Sequence, residues 1–120
     1  MGRAPAVLPG TYQVRLTSGA RIVRQAVIVK LDPRVRTSTP DLIAQFKLAK
    51  ALHEKRREIA GLVRGGGSSS PNGSAIRDVL TRLDAAFDAV QQSDSRPTAA
   101  LESMAASALE GASTAIAAAR

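Results

Sequence analysis

Between Gly10 and Leu31 polar and apolar residues alternate. Tyr12, Val14 and Leu16 are separated by Gln13, Arg15 and Thr17, the period of two that a strand shows when one face is covered and the other wet. Ser18-Gly19 supplies a turn, and the β-branched run Ile22, Val23, Val27, Ile28 and Val29 returns, so residues 11–31 read as a β-hairpin. Two strands alone leave both edges unpaired and one apolar face bare. Cover must come either from the helices that follow or from strands outside this chain.

Beyond the hairpin the period lengthens. Asp32-Pro33 closes the second strand, because proline donates no ladder hydrogen bond and restricts the residue before it. Ser38-Thr39-Pro40-Asp41 reads as a helix start, with Ser38 or Thr39 as cap and Asp41 at the positive helix end. Leu42, Phe46, Ala49, Leu52, Ile59, Leu62 and Val63 then fall near one stripe, broken by the charged run 53–58, which predicts a first helix over about 40–64. Residues 65–73, rich in Gly and Ser, form a flexible linker by composition. After Ser74, the expected cap, Ile76, Val79, Leu80, Leu83, Phe87 and Val90 trace the clearest helical stripe in the chain. The segment 93–98 breaks it, and Leu101, Met104, Ala105, Ala108, Leu109, Ala112 and Ile116 predict a third helix with a small-residue face.

The expected fold class is therefore α+β, an N-terminal β-hairpin followed by a three-helix antiparallel bundle. Its segments are a hairpin at 1–36, helix one at 37–64, the linker at 65–73, and a helical hairpin at 74–120 packing on helix one. At 120 residues one compact core is all the chain can build. With two Phe, one Tyr and no Trp, that core is assembled from aliphatic side chains, and its stability is expected to be modest. The N-terminus lacks the apolar stretch of a signal peptide, and the Ala-rich end at 111–120 is too short to span a bilayer. A soluble chain is expected.

Chemistry narrows the reading further. There is no cysteine, which removes disulfides and thiolate metal sites. His53, the single histidine, sits amid charged residues in helix one without an evident nucleophile to activate. Asp78, Asp84, Asp88 and Asp94 read as solvated acids rather than a catalytic pair. The glycines of the linker lack the Gly-Lys-Ser/Thr ending of a phosphate loop. Asp32, Asp41 and Glu58 follow no cation-loop spacing. Neither an enzyme nor a cofactor is expected.

Charge is uneven. Residues 1–64 hold thirteen Lys/Arg against four Asp/Glu, a net +9, whereas residues 65–120 are at −2. Arg15, Arg21, Arg24, Arg34, Arg36, Lys55, Arg56 and Arg57 are the candidate contacts for a polyanion, and a small basic nucleic-acid-binding protein is the alternative reading. Against it, the chain has few aromatic side chains on which bases would stack.

Three blocks in one order carry a resemblance: Pro9-Gly10-Thr11-Tyr12-Gln13-Val14-Arg15-Leu16, Val27-Ile28-Val29-Lys30-Leu31-Asp32-Pro33-Arg34-Val35, and Asp41-Leu42-Ile43-Ala44-Gln45-Phe46. Together with Ser93-Asp94-Ser95-Arg96-Pro97-Thr98, they resemble the C-terminal region of bacterial BNR-repeat (Asp-box) β-propeller proteins, glycosyl-hydrolase-like or sortilin-like. The resemblance implies that the hairpin is the remnant of an immunoglobulin-like sandwich, and that the helices form an appendage behind an exported propeller. Propeller repeats are missing and the strands are too few to close a sandwich. A stand-alone remnant, a split gene product or a truncated frame is thus implied. The leading expectation is a non-catalytic binding or scaffolding segment. Its face of Tyr12, Val14, Leu16, Val27 and Val29 meets a protein partner that supplies missing strands or a propeller, or a second copy.

Overall fold

The computed structural model describes residues 4–65 and 73–119, so the expected linker, apart from its two ends, lies outside the described residues. The chain divides into two compact units, one formed by Val7–Arg36 and the other containing three helices. This is the α+β arrangement expected from the pattern.

In the first unit β1 (Gly10–Ser18) and β2 (Arg21–Val29) form a two-stranded antiparallel sheet. The register runs from Gly10 opposite Val29 to Ser18 opposite Arg21, which makes Gly19-Ala20 the two-residue loop. Gly19 has φ of 57° and Ala20 is not among the residues of positive φ, the sign pattern of a type II′ turn, whose twist suits the flanking strands. Glycine is the residue that adopts this conformation without strain. β2 ends at Val29 instead of Leu31, and the chain then turns at Asp32-Pro33-Arg34-Val35. There the Val35 amide donates to the Asp32 carbonyl at 2.9 Å, with proline at the turn position it favours.

In the second unit α1 (Thr39–Gly65), α2 (Gly73–Gln91) and α3 (Ala99–Ala119) each pack against the other two. Contacts near the start of α1 meet the end of α2 (Gln45 with Val90), while mid-helix meets mid-helix (Arg56 with Asp84). That order makes α1 and α2 antiparallel. Ser38 caps α1: its hydroxyl accepts from the Asp41 amide at 3.3 Å, an N-cap bond, and donates to the Asp41 carboxylate at 2.6 Å, which orients it. Thr98 caps α3 through the Leu101 amide at 3.3 Å. Gly73 already belongs to α2, so Ser74 lies inside the first turn and is not the cap.

The core of this unit is Ala49, Leu52, Ile59, Leu83, Ala86, Phe87, Val90, Ala105, Ala108, Ala112 and Ile116, all buried. Five alanines let the helix backbones approach closely. Two residues of the expected stripes point outward instead: Val63 and Met104 are 42% and 43% exposed. Met104 sits at the margin of the α3 arc, and Val63 lies in the last turn of α1, which ends at Gly65. Asp84 also departs from expectation. It is half-buried and pairs with Arg56, Nε to Oδ1 at 2.5 Å, rather than being a solvated acid. No helix among the described residues is long and apolar enough to cross a membrane.

Candidate binding surface of the hairpin

Directly opposite residues in an antiparallel pair project to the same face. The register therefore places Tyr12, Val14 and Leu16 of β1 with Val23, Gln25, Val27 and Val29 of β2. All five residues expected to form a partner face share it. Val23, opposite Leu16, joins them; it lies four and six residues before Val27 and Val29 on the same strand, so the period of two already places it on their face. On this face Val14, Leu16 and Val23 are 50–67% exposed, and only Val29 is half-buried.

The second face is not purely polar. It carries Thr11, Gln13, Arg15 and Thr17 against Ile28, Ala26, Arg24 and Ile22, and Ile22 and Ile28 are themselves exposed. Within its own unit the hairpin covers neither face. By contrast, the helical unit buries its stripes against one another and leaves no buried side-chain N or O without a partner among the described residues.

At the start of β1 the Tyr12 hydroxyl donates to the Leu8 carbonyl at 2.5 Å, four residues back. The ring thus stays on the apolar face while its polar end is satisfied by the incoming chain, which ties Leu8 to the strand.

Charge collects in the same unit. Val7–Arg36 contains Arg15, Arg21, Arg24, Lys30, Arg34 and Arg36 against Asp32 alone, a net +5 of the chain's +7. The eight candidate polyanion contacts divide between the two units, five in Val7–Arg36 and three in the helical unit. Arg34 is committed to Asp32 through Nε to Oδ1 at 3.0 Å and Nη2 to Oδ2 at 2.6 Å. Lys55 pairs with Glu58 at 3.2 Å and Arg56 with Asp84, both in the helical unit, where Arg57 is exposed on α1. Arg15, Arg21, Arg24 and Arg36 remain as exposed cations of the hairpin unit. Arg15 lies directly opposite Arg24.

The Arg34 guanidinium beside Asp32, helped by the Arg34 backbone amide at 2.9 Å, holds the Asp32 carboxyl below its usual value of 3.8 and raises Arg34 in turn. Because the folded value is the lower one, the turn gains its support at pH above the ordinary carboxylate range. That support disappears as pH falls through the depressed value. A carboxyl NMR titration of Asp32 is expected to show the low midpoint, and Arg34→Gln is expected to move it upward; no movement would mean the pair does not persist in solution.

The acids weighed for a cation lie in separate environments. Asp32 engages Arg34, Asp41 engages Ser38 and Arg96, and Glu58 engages Lys55. His53 is half-buried, its ring 6.2 Å from that of Phe87 and tilted by 42°, a packing contact. A depression of about 320 Å³ between α2 and α3 is lined by Arg82, Ala85, Met104, Ser107 and Ala108, of which only Arg82 ionises. Comparison with protein-family models, with curated proteins and with solved structures returned no match.

Proposed function

We propose that the chain is a non-catalytic binding or scaffolding module in which a self-sufficient helical bundle carries a hairpin that completes a β-sheet with a protein partner. The observation that carries this reading is the exposed face of Tyr12, Val14, Leu16, Val23 and Val27 on a sheet with two unpaired edges. Main-chain pairing to an edge and apolar pockets for alternate side chains are the two components of strand addition.

The Tyr12 hydroxyl on the Leu8 carbonyl supports the immunoglobulin-like part of the reading. A tyrosine near a strand start, bonded a few residues upstream, is the corner that sandwich domains build on the strand preceding their last. On that reading β1 and β2 are the final two strands of a sandwich whose other strands the partner supplies. The helices are then the appendage that the BNR-repeat propeller resemblance implies, attached to an exported protein.

A synthetic strand of alternating Val and Thr tests this. Added in excess, it is expected to slow amide exchange in Gly10–Val29 by about tenfold or more and leave the helices unchanged. Unchanged exchange in the hairpin at saturating strand would overturn the proposal.

The alternative, a small basic nucleic-acid-binding protein, is favoured by the net +5 of the hairpin unit. It is weakened by the internal pairing of Arg34, Lys55 and Arg56. Salt-dependent retention of DNA or RNA on a filter would support that alternative.

A further inference from the structure

Residues directly opposite on an antiparallel pair have Cβ atoms about 4.5–5.5 Å apart, and like charges so placed repel. Arg15 and Arg24 are such a pair, both exposed, and neither β1 nor β2 contains an acidic residue. The hairpin by itself gains nothing from this juxtaposition. A carboxylate beside it converts the repulsion into shared attraction, since each guanidinium presents donors in a fork that fits two carboxylate oxygens.

We infer that the partner strand adds to the outer edge of β1 and carries an Asp or Glu directly across from Arg15, so that Arg24, Arg15 and the carboxylate form one row over three strands. This rests on the strand-addition reading above and names the chemistry of the partner. The edge follows from Tyr12: in a sandwich the strand bearing the tyrosine corner lies between two neighbours, and among the described residues β1 has only β2.

Charge separates the possible occupants. A second copy brings another hairpin unit of +5 against the first, and the like charges oppose each other. A nucleic acid would satisfy the arginines but leave Val14, Leu16, Val23 and Val27 without an apolar neighbour. Tyr12, the one aromatic residue of the unit, is on the face opposite to Arg15 and Arg24. An acidic protein strand answers both faces at once.

The test uses the full chain and labelled synthetic strands of about eight residues, alternating Val with Glu, with Thr or with Lys, beside a single-stranded thymidine oligonucleotide. Anisotropy gives affinity at low and high salt, and amide shifts give the edge. The Glu strand is expected to bind about fivefold tighter than the Thr strand at low salt and about tenfold or more tighter than the Lys strand, with less difference at high salt. Its amide shifts are expected on β1. Arg15→Gln is expected to bring the Glu and Thr strands to about equal affinity without weakening the Thr strand. Arg24→Glu, which supplies the carboxylate within the hairpin and preserves its pairing, is expected to do the same.

Equal binding of Glu and Thr strands to the native chain overturns the acidic partner while leaving strand addition in place. Shifts confined to β2 overturn the choice of edge. Tighter binding of the oligonucleotide than of any strand, or binding of none of the strands, overturns this inference and the reading beneath it. Dimerisation of the chain alone at rising concentration overturns the acidic partner in favour of a second copy.

Discussion

Leu52→Ala and Leu83→Ala are each expected to lower the unfolding free energy of the helical unit by about 3 kcal/mol. Both side chains are fully buried, on α1 and α2 respectively. Five of the eleven buried core residues, Ala49, Ala86, Ala105, Ala108 and Ala112, are alanines with no side chain to swing into a void. The gap closes only in part, and the loss exceeds the transfer energy of the removed atoms. Against a total of about 5–15 kcal/mol for a small domain, one such change approaches unfolding. Urea titration followed by helical circular dichroism measures it. Val63→Ala, at an exposed position of α1, is the control and is expected to cost less than about 0.5 kcal/mol. A loss below about 1 kcal/mol for either leucine would contradict the packing described.

Gln45→Leu is expected to cost about 2 kcal/mol despite adding apolar volume to a buried site. The Gln45 amide nitrogen donates to the Val90 carbonyl at 2.7 Å and also to the Ser93 carbonyl. Val90 lies in the last turn of α2, where carbonyls have no partner within the helix. Leucine would leave the buried Val90 oxygen unpaired and take the donor from the Ser93 oxygen. The same joint is held by the Thr37 hydroxyl on the Asp94 carbonyl and by Arg96 beside Asp41 at 3.5 Å, so residues 92–98 are expected to exchange their amides faster in the variant. A neutral Gln45→Leu would mean that water already satisfies those carbonyls.

The helices were legible because their apolar positions recur at the helical period over many turns. Leu83, Phe87 and Val90 on α2, and Ala105, Ala108, Ala112 and Ile116 on α3, are buried as their spacing implies. Gln45 was not legible: a glutamine within a stripe reads as a wet position, and only the helix terminus opposite explains its burial. Arg56 and Asp84 lie 28 residues apart, and no local pattern links them. In the hairpin the alternation identified the strands and one apolar face. It could not place Arg15 across from Arg24, because cross-strand neighbours depend on where the turn falls. Moving the turn by one residue changes every pairing. The binding surface was thus readable strand by strand, and its charge pairing was not.

These observations describe two units with unequal means of support. Among the described residues the helical unit satisfies its buried polar side chains and seals its own core. The hairpin has a ladder and a turn, while Val14, Leu16, Val23, Ile22 and Ile28 remain exposed by half or more. Two-stranded sheets without a covered apolar face are marginal in water, and a marginal element is where a binding partner supplies the most stability.

Residue-resolved hydrogen exchange on the isolated chain, confirmed as a monomer by light scattering, tests this most directly. Amides of β1 and β2 are expected to exchange at least about a hundredfold faster than those around Leu52 and Leu83, reflecting local opening that costs little. Hairpin amides as slow as the bundle's in a monomer would contradict the account, because the hairpin would then have its cover without a partner.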